Sequence, residues 1–523
     1  MVFCGKPSKG CKHCRIRRIK CDQLDPACSQ CLRAGKACPG YRDQLALLFR
    51  DESEKVVRKA KVPRNTPQHR KSSPGQSTST RSSNCTQYTS PTSSVTPLSE
   101  SHALAAPSPG SFLRSFSPRG LDEGVVFFFD HYVTINSNHL SGKIDLPQLP
   151  VLRLLFSNEA FNDAVSSVGY AGLSNVTKHP EYMIIARKKY AASLRSITLA
   201  LKDTSKADLD TIFKSTMLLA AFEIVNGGAG SWGVHLDGGA AILNLLVAMQ
   251  PPRMPPMRMQ LQFVFTLYIK CMIEGEACPP NNVWAPHYKR AMSPHDAHAT
   301  DLAYIVSRFT NLHASIRSKL QTDSDTKLRE ALLLDTMLEE WKLQLPQSWL
   351  YKLELHTEET AVMYKGVSHR YCDFWTARMY NHYRWCRILV NELLVTQLGP
   401  NSPENAAQRA KSLDIISREA ADICSSVSIQ FHKPTLLEET KQTGVPALTG
   451  CFLPLFHLAV AGSAMGVDDE MHNWVISMLE LIGHDKGVAQ ALSMIPGTKL
   501  QREKWKLFSH GPADCSLLSG FQM

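Results

Sequence analysis

Across residues 181–202, EYMIIARKKYAASLRSITLALK, apolar positions return every three or four residues, so that Tyr182, Ala186, Tyr190, Leu194, Ile197 and Leu201 fall on one face. That is the period of an amphipathic α-helix. Residues 370–394, RYCDFWTARMYNHYRWCRILVNELL, repeat the pattern with Tyr371, Trp375, Met379, Tyr383, Cys386, Val390 and Leu393. The most apolar stretch, CFLPLFHLAVAGSAMG over residues 451–466, is too short for a membrane span and contains Pro454 and His457. It predicts a buried helix, and no membrane partner is expected. Runs of period two are scarce, and connectors such as MQPPRMPPMR (residues 249–258) are rich in proline. The pattern therefore predicts a mainly α protein, with residues 121–523 forming a large all-α domain of stacked antiparallel helix pairs.

The pattern breaks before residue 121. Ser, Thr and Pro supply 27 of the 49 residues from 72 to 120, too polar a mixture to bury a core, so this stretch is expected to be a disordered linker. Ser73, Ser90, Thr96, Ser108 and Ser117 each precede a proline there and are candidates for proline-directed phosphorylation. Residues 46–71 are expected to hold a short helix and a basic patch. Asp43 is placed to cap the helix, and Leu45, Leu48, Phe49 and Val56 give it barely two apolar turns before Pro63. A dimerising zipper needs three or four heptads, so none is expected after residue 45. The basic patch Arg58, Lys59, Lys61, Arg64, Arg70 and Lys71 suits a nuclear-localisation signal or contact with phosphates.

Charge separates the two ends of the chain. Residues 1–71 carry 18 Lys and Arg against 6 Asp and Glu, while the whole chain has a net charge of +11. The remainder is thus close to neutral, and a polyanion partner is expected for the N-terminal head alone. No apolar leader opens residues 1–10, so a reducing compartment is expected, where thiols stay free or bind metal.

Inside the basic head, residues 10–40 read GCKHCRIRRIKCDQLDPACSQCLRAGKACPG. Cys11, Cys14, Cys21, Cys28, Cys31 and Cys38 form a duplicated C-x2-C-x6-C unit. A zinc ribbon would leave Cys21 and Cys38 over, and no βαβ pattern supports a redox motif. Structural zinc takes four ligands. Two zinc ions need eight contacts, which six thiolates supply only if two of them bridge. The duplication selects the first cysteine of each unit, Cys11 and Cys28, with Cys14 and Cys21 completing one metal and Cys31 and Cys38 the other. KHCRIRRIK can form two helical turns, and SQCLRAG has Ser29 as a candidate N-cap and Gly35 as its stop. So small a segment must take its folding energy from metal. His13 is expected to be a solvated helix residue.

The motifs CxxCRxRRIKCD and CxxCxxAGxxC, with Pro26 before the fourth cysteine, resemble the DNA-binding head of the fungal Zn2Cys6 binuclear cluster transcription factors. The resemblance implies the same bridging pattern and a helix that reads double-stranded DNA in the major groove. It implies readout of a CGG-like triplet by Arg17, Arg18 and Lys20, where Arg18 stands in place of the lysine common in the family. Lys12, Arg15, Arg33, Lys36 and Arg42 are expected to meet phosphates, which position without specifying. SWGVHLDGGAAILNLL (residues 231–246) and WTARMYNHYRWCRILVNELL (residues 375–394) look similar to the fungal-specific transcription factor domain 2, which implies a helical regulatory body and no catalytic residues.

The expected function is a zinc-dependent, sequence-specific DNA-binding regulator of transcription in the nucleus, working with the transcription machinery. The alternative is a zinc-binding interaction protein without specific DNA recognition. An enzyme is not expected. GAGSWG (residues 228–233) matches a dinucleotide-binding fingerprint but follows a helical run, so a helix–helix turn is expected. Cys271 and Cys278 are expected to be core thiols. His235 with Asp237, and His287, His295 and His298, lack a ligand spacing.

Overall fold

The computed structural model describes residues 11–17, 19–22, 27–36, 38–39, 122–134, 154–155, 157–205, 207–228, 230–249, 257–279, 294–320, 323–357, 360–398, 402–431, 447–448 and 454–508. The expected short helix, basic patch and linker between residues 43 and 120 lie outside them.

The head has two short helices, α1 (Lys12–Ile16) and α2 (Ser29–Arg33). The helix expected over residues 12–20 stops at Ile16. Arg17 N–H still donates to His13 O at 3.1 Å and Ile19 N–H to Cys14 O at 3.1 Å, but the chain then turns back. The turn brings the Cys21 sulfur to the Cys11 N–H at 3.5 Å, which two full helical turns would prevent. Ser29 does not cap α2. It is the first helical residue, and Asp22 accepts its N–H at 3.1 Å and 3.2 Å. Gly35 ends the segment in the left-handed region, φ 62°, as expected.

The body is helical, as the periodicity predicts. Its helices are α3 (Glu123–Tyr132), α4 (Glu159–Thr177), α5 (Pro180–Ala200), α6 (Leu209–Asn226), α7 (Ser231–Ala248), α8 (Met257–Glu274), α9 (Pro294–Arg317), α10 (Ser324–Leu343), α11 (Phe374–Gln397), α12 (Pro403–Val427), α13 (Leu455–Ser463), α14 (Asp469–Asp485) and α15 (Ala489–Phe508). Side-chain caps start many of them. Asp122, Asn158, Asp208, Asp323, Asp373, Ser402 and Asp468 each accept the backbone N–H three residues on. Helices adjacent in sequence pack side by side, α4 on α5, α6 on α7, α11 on α12, α14 on α15. Two small antiparallel pairs were not expected: β1 (Val133–Thr134) with β4 (Ala447–Leu448), and β2 (Lys352–Leu355) with β3 (Val367–Arg370). They are too short to show a period of two.

α5 buries Ala186, Ser193 and Ile197 and leaves Ile184 and Leu199 exposed, which is the predicted face. α11 departs from the predicted single stripe. All its residues except Arg378, Thr396 and Gln397 are buried or nearly so, because α9, α10, α12 and α13 surround it. The stretch expected as a buried helix contains α13, buried along its whole length. Among the described residues no helix is long and apolar enough to cross a membrane. GAGSWG spans the turn between α6 and α7 and the first residues of α7, with Gly230 and the preceding Gly227 at φ 75° and 72°, so it contains the expected helix–helix turn.

Candidate metal centre and nucleic-acid interface

Six sulfurs converge in the head. Cys11, Cys14, Cys28 and Cys31 are buried, and Cys21 and Cys38 pack against them. The sulfurs of Cys11, Cys14, Cys21 and Cys28 lie within 4.8 Å of one another, as do those of Cys11, Cys28, Cys31 and Cys38. The two tetrads share Cys11 and Cys28. Individual separations are 3.7 Å for Cys11–Cys28, 3.6 Å for Cys11–Cys31, 3.7 Å for Cys14–Cys28 and 4.0 Å for Cys28–Cys38. A tetrahedron with Zn–S bonds of about 2.3 Å has edges of about 3.8 Å. The sulfurs therefore stand where two tetrahedral ions sharing an edge would require them.

The electrostatics agree. Desolvation raises the thiols of Cys14, Cys28 and Cys31, the last to about 12, and hydrogen bonds between thiols add to this for Cys14 and Cys31. Sulfurs crowded this way resist ionisation until a cation neutralises them, and a coordinating thiol is then deprotonated outright. Two backbone groups orient the cluster, Cys14 N–H donating to Cys11 Sγ at 3.4 Å and Cys11 N–H to Cys21 Sγ.

Two residues around the cluster escaped sequence reasoning. Asp22 ties the first cysteine unit to the start of α2 through the Ser29 N–H. His13, expected to be solvated, is half-buried with Nδ1 3.9 Å from Cys31 Sγ. Both contacts join residues from opposite cysteine units, so neither has a local signature. The duplicated unit itself was the available signal.

The basic residues are distributed as follows. Lys12 and Arg15 stand on α1. Arg17 and Lys20 lie in the turn after it, both exposed, rather than on the helix as expected. Arg33 closes α2 and Lys36 follows it, and both are exposed. Arg18 and Arg42 lie outside the described residues. Ile16 and Leu32 are 69% and 67% exposed, so apolar contact surface accompanies the charges.

The fungal Zn(2)-Cys(6) binuclear cluster domain matches residues 9–46, and the fungal specific transcription factor domain matches residues 127–494, well over half the chain. The chain belongs to the fungal specific transcription factor family. Among curated proteins, an aspercryptin biosynthesis cluster-specific transcription regulator of Emericella nidulans is 49% identical over 37 residues, 7% of this chain and 6% of that protein. White-opaque regulator 2 of Candida albicans is 56% identical over 34 residues, 6% of this chain and 8% of that protein. The chain thus spans less than a tenth of the length of either relative. No solved structure matches. The Zn(2)-Cys(6) domain binds two zinc ions, and the two thiol tetrads could hold one each.

The family's body domain contains the residues that resembled other sites. His235 is buried with Nε2 2.8 Å from Tyr190 OH, and Asp237 pairs with Lys270 at 3.0 Å, so each has its own partner. The His298 carbonyl accepts the Trp341 indole N–H at 2.7 Å. His295 stands on α9, and His287 lies outside the described residues. Cys271 is a core thiol as expected, but Cys278 is only half-buried.

Proposed function

We propose that this fungal transcription factor family member is a zinc-dependent, sequence-specific DNA-binding regulator of transcription that acts in the nucleus. The observation that carries the proposal is the pair of sulfur tetrads sharing Cys11 and Cys28, with spacings suited to two tetrahedral zinc ions. In this reading Cys14 and Cys21 complete one site and Cys31 and Cys38 the other. Ions held there would keep α1 and the turn after it rigid, and Arg17, Arg18 and Lys20 are the residues that meet base edges. Arginine and lysine there donate to guanine O6 and N7. Lys12, Arg15, Arg33, Lys36 and Arg42 meet phosphates, which fix register. The names of the two curated relatives, both regulators, support the reading. The helical body is regulatory, not catalytic, and its partners are the transcription machinery.

Substitution separates reading from positioning. Arg17→Ala is expected to cost about 1–3 kcal/mol of binding free energy and to relax base preference. Arg33→Ala is expected to weaken all duplexes alike and to lower the salt slope by about one unit. Titration of the full zinc-loaded chain with matched and mismatched duplexes at stepped salt measures both. An unchanged base preference in Arg17→Ala removes Arg17 from the reading set. The alternative of a finger that never recognises sequence predicts no preference in the unsubstituted chain.

A further inference from the structure

β2 is the outer strand of its hairpin, and DNA recognition gives it no task. Its partner β3 packs on α12 and buries Ser368 and His369, so the hairpin is anchored through that strand. The register sets Lys352 opposite Arg370, Leu353 opposite His369, Glu354 opposite Ser368 and Leu355 opposite Val367. On its other edge β2 pairs with no strand among the described residues. Both of its ends are pinned. Tyr351 stacks on His369 with ring centroids 4.3 Å apart and donates its hydroxyl to Asp422 at 2.9 Å. His356 Nε2 stands 2.7 Å from Ser368 Oγ.

The backbone of that edge can be read residue by residue. His356 N–H donates to Gly366 O at 2.9 Å, one step of the same register beyond Leu355 and Val367. In an antiparallel ladder, opposed residues that exchange hydrogen bonds alternate with opposed residues that do not. Lys352, Glu354 and His356 therefore turn N–H and C=O towards β3, and Leu353 and Leu355 turn theirs outward. The same two leucines are 65% and 84% exposed. Edge strands are commonly blunted by proline or by a bulge. β2 has neither, and its two charges, Lys352 and Glu354, are of opposite sign.

That order of residues makes the strand self-complementary. Laid antiparallel to a copy of itself about a two-fold axis at Leu353, it brings each Lys352 opposite Glu354 of the other copy. The two Leu353 residues then face each other and exchange their outward N–H and C=O bonds. An alignment centred on Glu354 sets glutamate against glutamate, and like charges directly opposite are unfavourable. An alignment shifted by a single residue sets Leu353 opposite Glu354, whose N–H and C=O are already turned to β3. Glu354 also holds Arg370 Nη2 at 2.6 Å within its own hairpin, so the carboxylate would lie between two cations.

We propose that β2 is a self-association edge that pairs antiparallel with β2 of a second copy of this chain, centred on Leu353. A four-residue strand makes a small contact, under the roughly 1,200 Å² at which stable interfaces begin, so the dimer is weak. The pinned ends favour it, because a strand already ordered has less freedom to lose on pairing.

Charge substitutions test the contact, since the two-fold axis counts each of them twice. Lys352→Glu sets glutamates opposite glutamates, and Glu354→Lys sets lysines opposite lysines. Mixed in equal amounts, the two variants regain both opposite-charge pairs in a heterodimer. Sedimentation velocity of the full zinc-loaded chain without DNA, from about 1 μM to about 100 μM, covers the range of small, transient contacts. The unsubstituted chain is expected to dimerise with rising concentration. Each variant alone should show a dissociation constant at least about tenfold higher, and the mixture should return to within about threefold of the unsubstituted chain. Recovery on mixing separates lost pairing from lost folding. A chain that stays monomeric throughout would overturn the proposal and leave the edge to another segment or a different partner. A dimer equally strong in both variants, or variants that weaken and do not recover on mixing, would overturn it as well.

Discussion

Cys28 and Cys38 are both sulfur donors in the head, yet they differ in how many tetrads they serve. Cys28 stands in both and Cys38 in one. Cys28→Ser is therefore expected to disturb both metal sites, whereas Cys38→Ser mainly disturbs one. Native mass spectrometry of the full chain reads the zinc content directly: two ions in the unsubstituted protein, markedly fewer in Cys28→Ser than in Cys38→Ser. Equal losses would contradict a bridging role for Cys28. A second residue-scale effect lies in the body. Burial raises the Glu392 carboxyl to about 8, against a hydrogen bond from Met465 N–H at 2.9 Å that favours its ionised form. Folded Glu392 therefore keeps a proton that the unfolded chain releases near 4.5. Its contribution to stability is complete below that value and is lost as pH rises towards 8. Burial has the opposite consequence for His131 and His235, lowered from 6.5 to about 4, and His369, lowered to about 2. Their contributions are complete above 6.5 and fade as pH falls. Between pH 6.5 and 8 the Glu392 contribution should fall by about 2 kcal/mol. Urea unfolding at the two pH values should therefore show the wild type losing about 2 kcal/mol more than Glu392→Gln over that interval, the histidine contributions being common to both. Equal changes in both would contradict the assignment.

At the scale of elements, α11 explains why the body coheres and why its sequence misleads. The helix carries Asn381, Arg384, Arg387, Asn391 and Glu392 into the core, and each makes at least one hydrogen bond to another part of the fold or to a neighbour on α11. Asp335 on α10 accepts from Arg387 Nε at 3.2 Å and Asn391 Nδ2 at 2.8 Å. Arg384 Nη1 donates to Tyr371 OH at 2.8 Å and Asn381 Oδ1 at 3.0 Å. Ser426 on α12 donates to Asn381 Oδ1 at 2.9 Å. Periodicity assigns such polar positions to solvent because their partners are distant in sequence, so only the apolar stripe of α11 was legible. Asp335→Ala removes the charge-assisted bonds to Arg387 and Asn391 while Glu339 and Glu419 still face Arg387 at 3.3 Å and 3.9 Å, so it should destabilise the body by about 1.5–3 kcal/mol. Asp414→Ala breaks the exposed pair with Arg418, 3.3 Å apart within α12, and should cost no more than about 0.5 kcal/mol. Denaturant unfolding of the two variants measures the contrast, and similar losses would show that the buried network is not what holds α10 to α11. By comparison, α5 packs through one face and its stripe was readable directly. The Asx and Ser caps preceding α3, α4, α6 and α12 are equally local features.

Over the whole molecule, charge and metal ligands concentrate at one end and apolar periodicity at the other, and that division was legible in the order of residues alone. The cysteine cluster was the most legible feature of all, since ligand number and tetrahedral coordination constrain six thiols before any coordinates exist. What the sequence could not reveal was how the head folds back. α1 ends at Ile16 and not near Lys20 because Cys21 has to return to Cys11, a constraint visible only in three dimensions. The consequence is that Arg17 and Lys20 are presented from a turn beside the metal cluster, so their presentation depends on the metal more than a long helix would require. Selection from a random duplex pool by the full chain, with zinc and after chelation, tests this dependence most directly. The account predicts enrichment of a CGG-like triplet with zinc and loss of that enrichment once the metal is removed. No enriched sequence with zinc present, or the same sequence enriched after chelation, would contradict it.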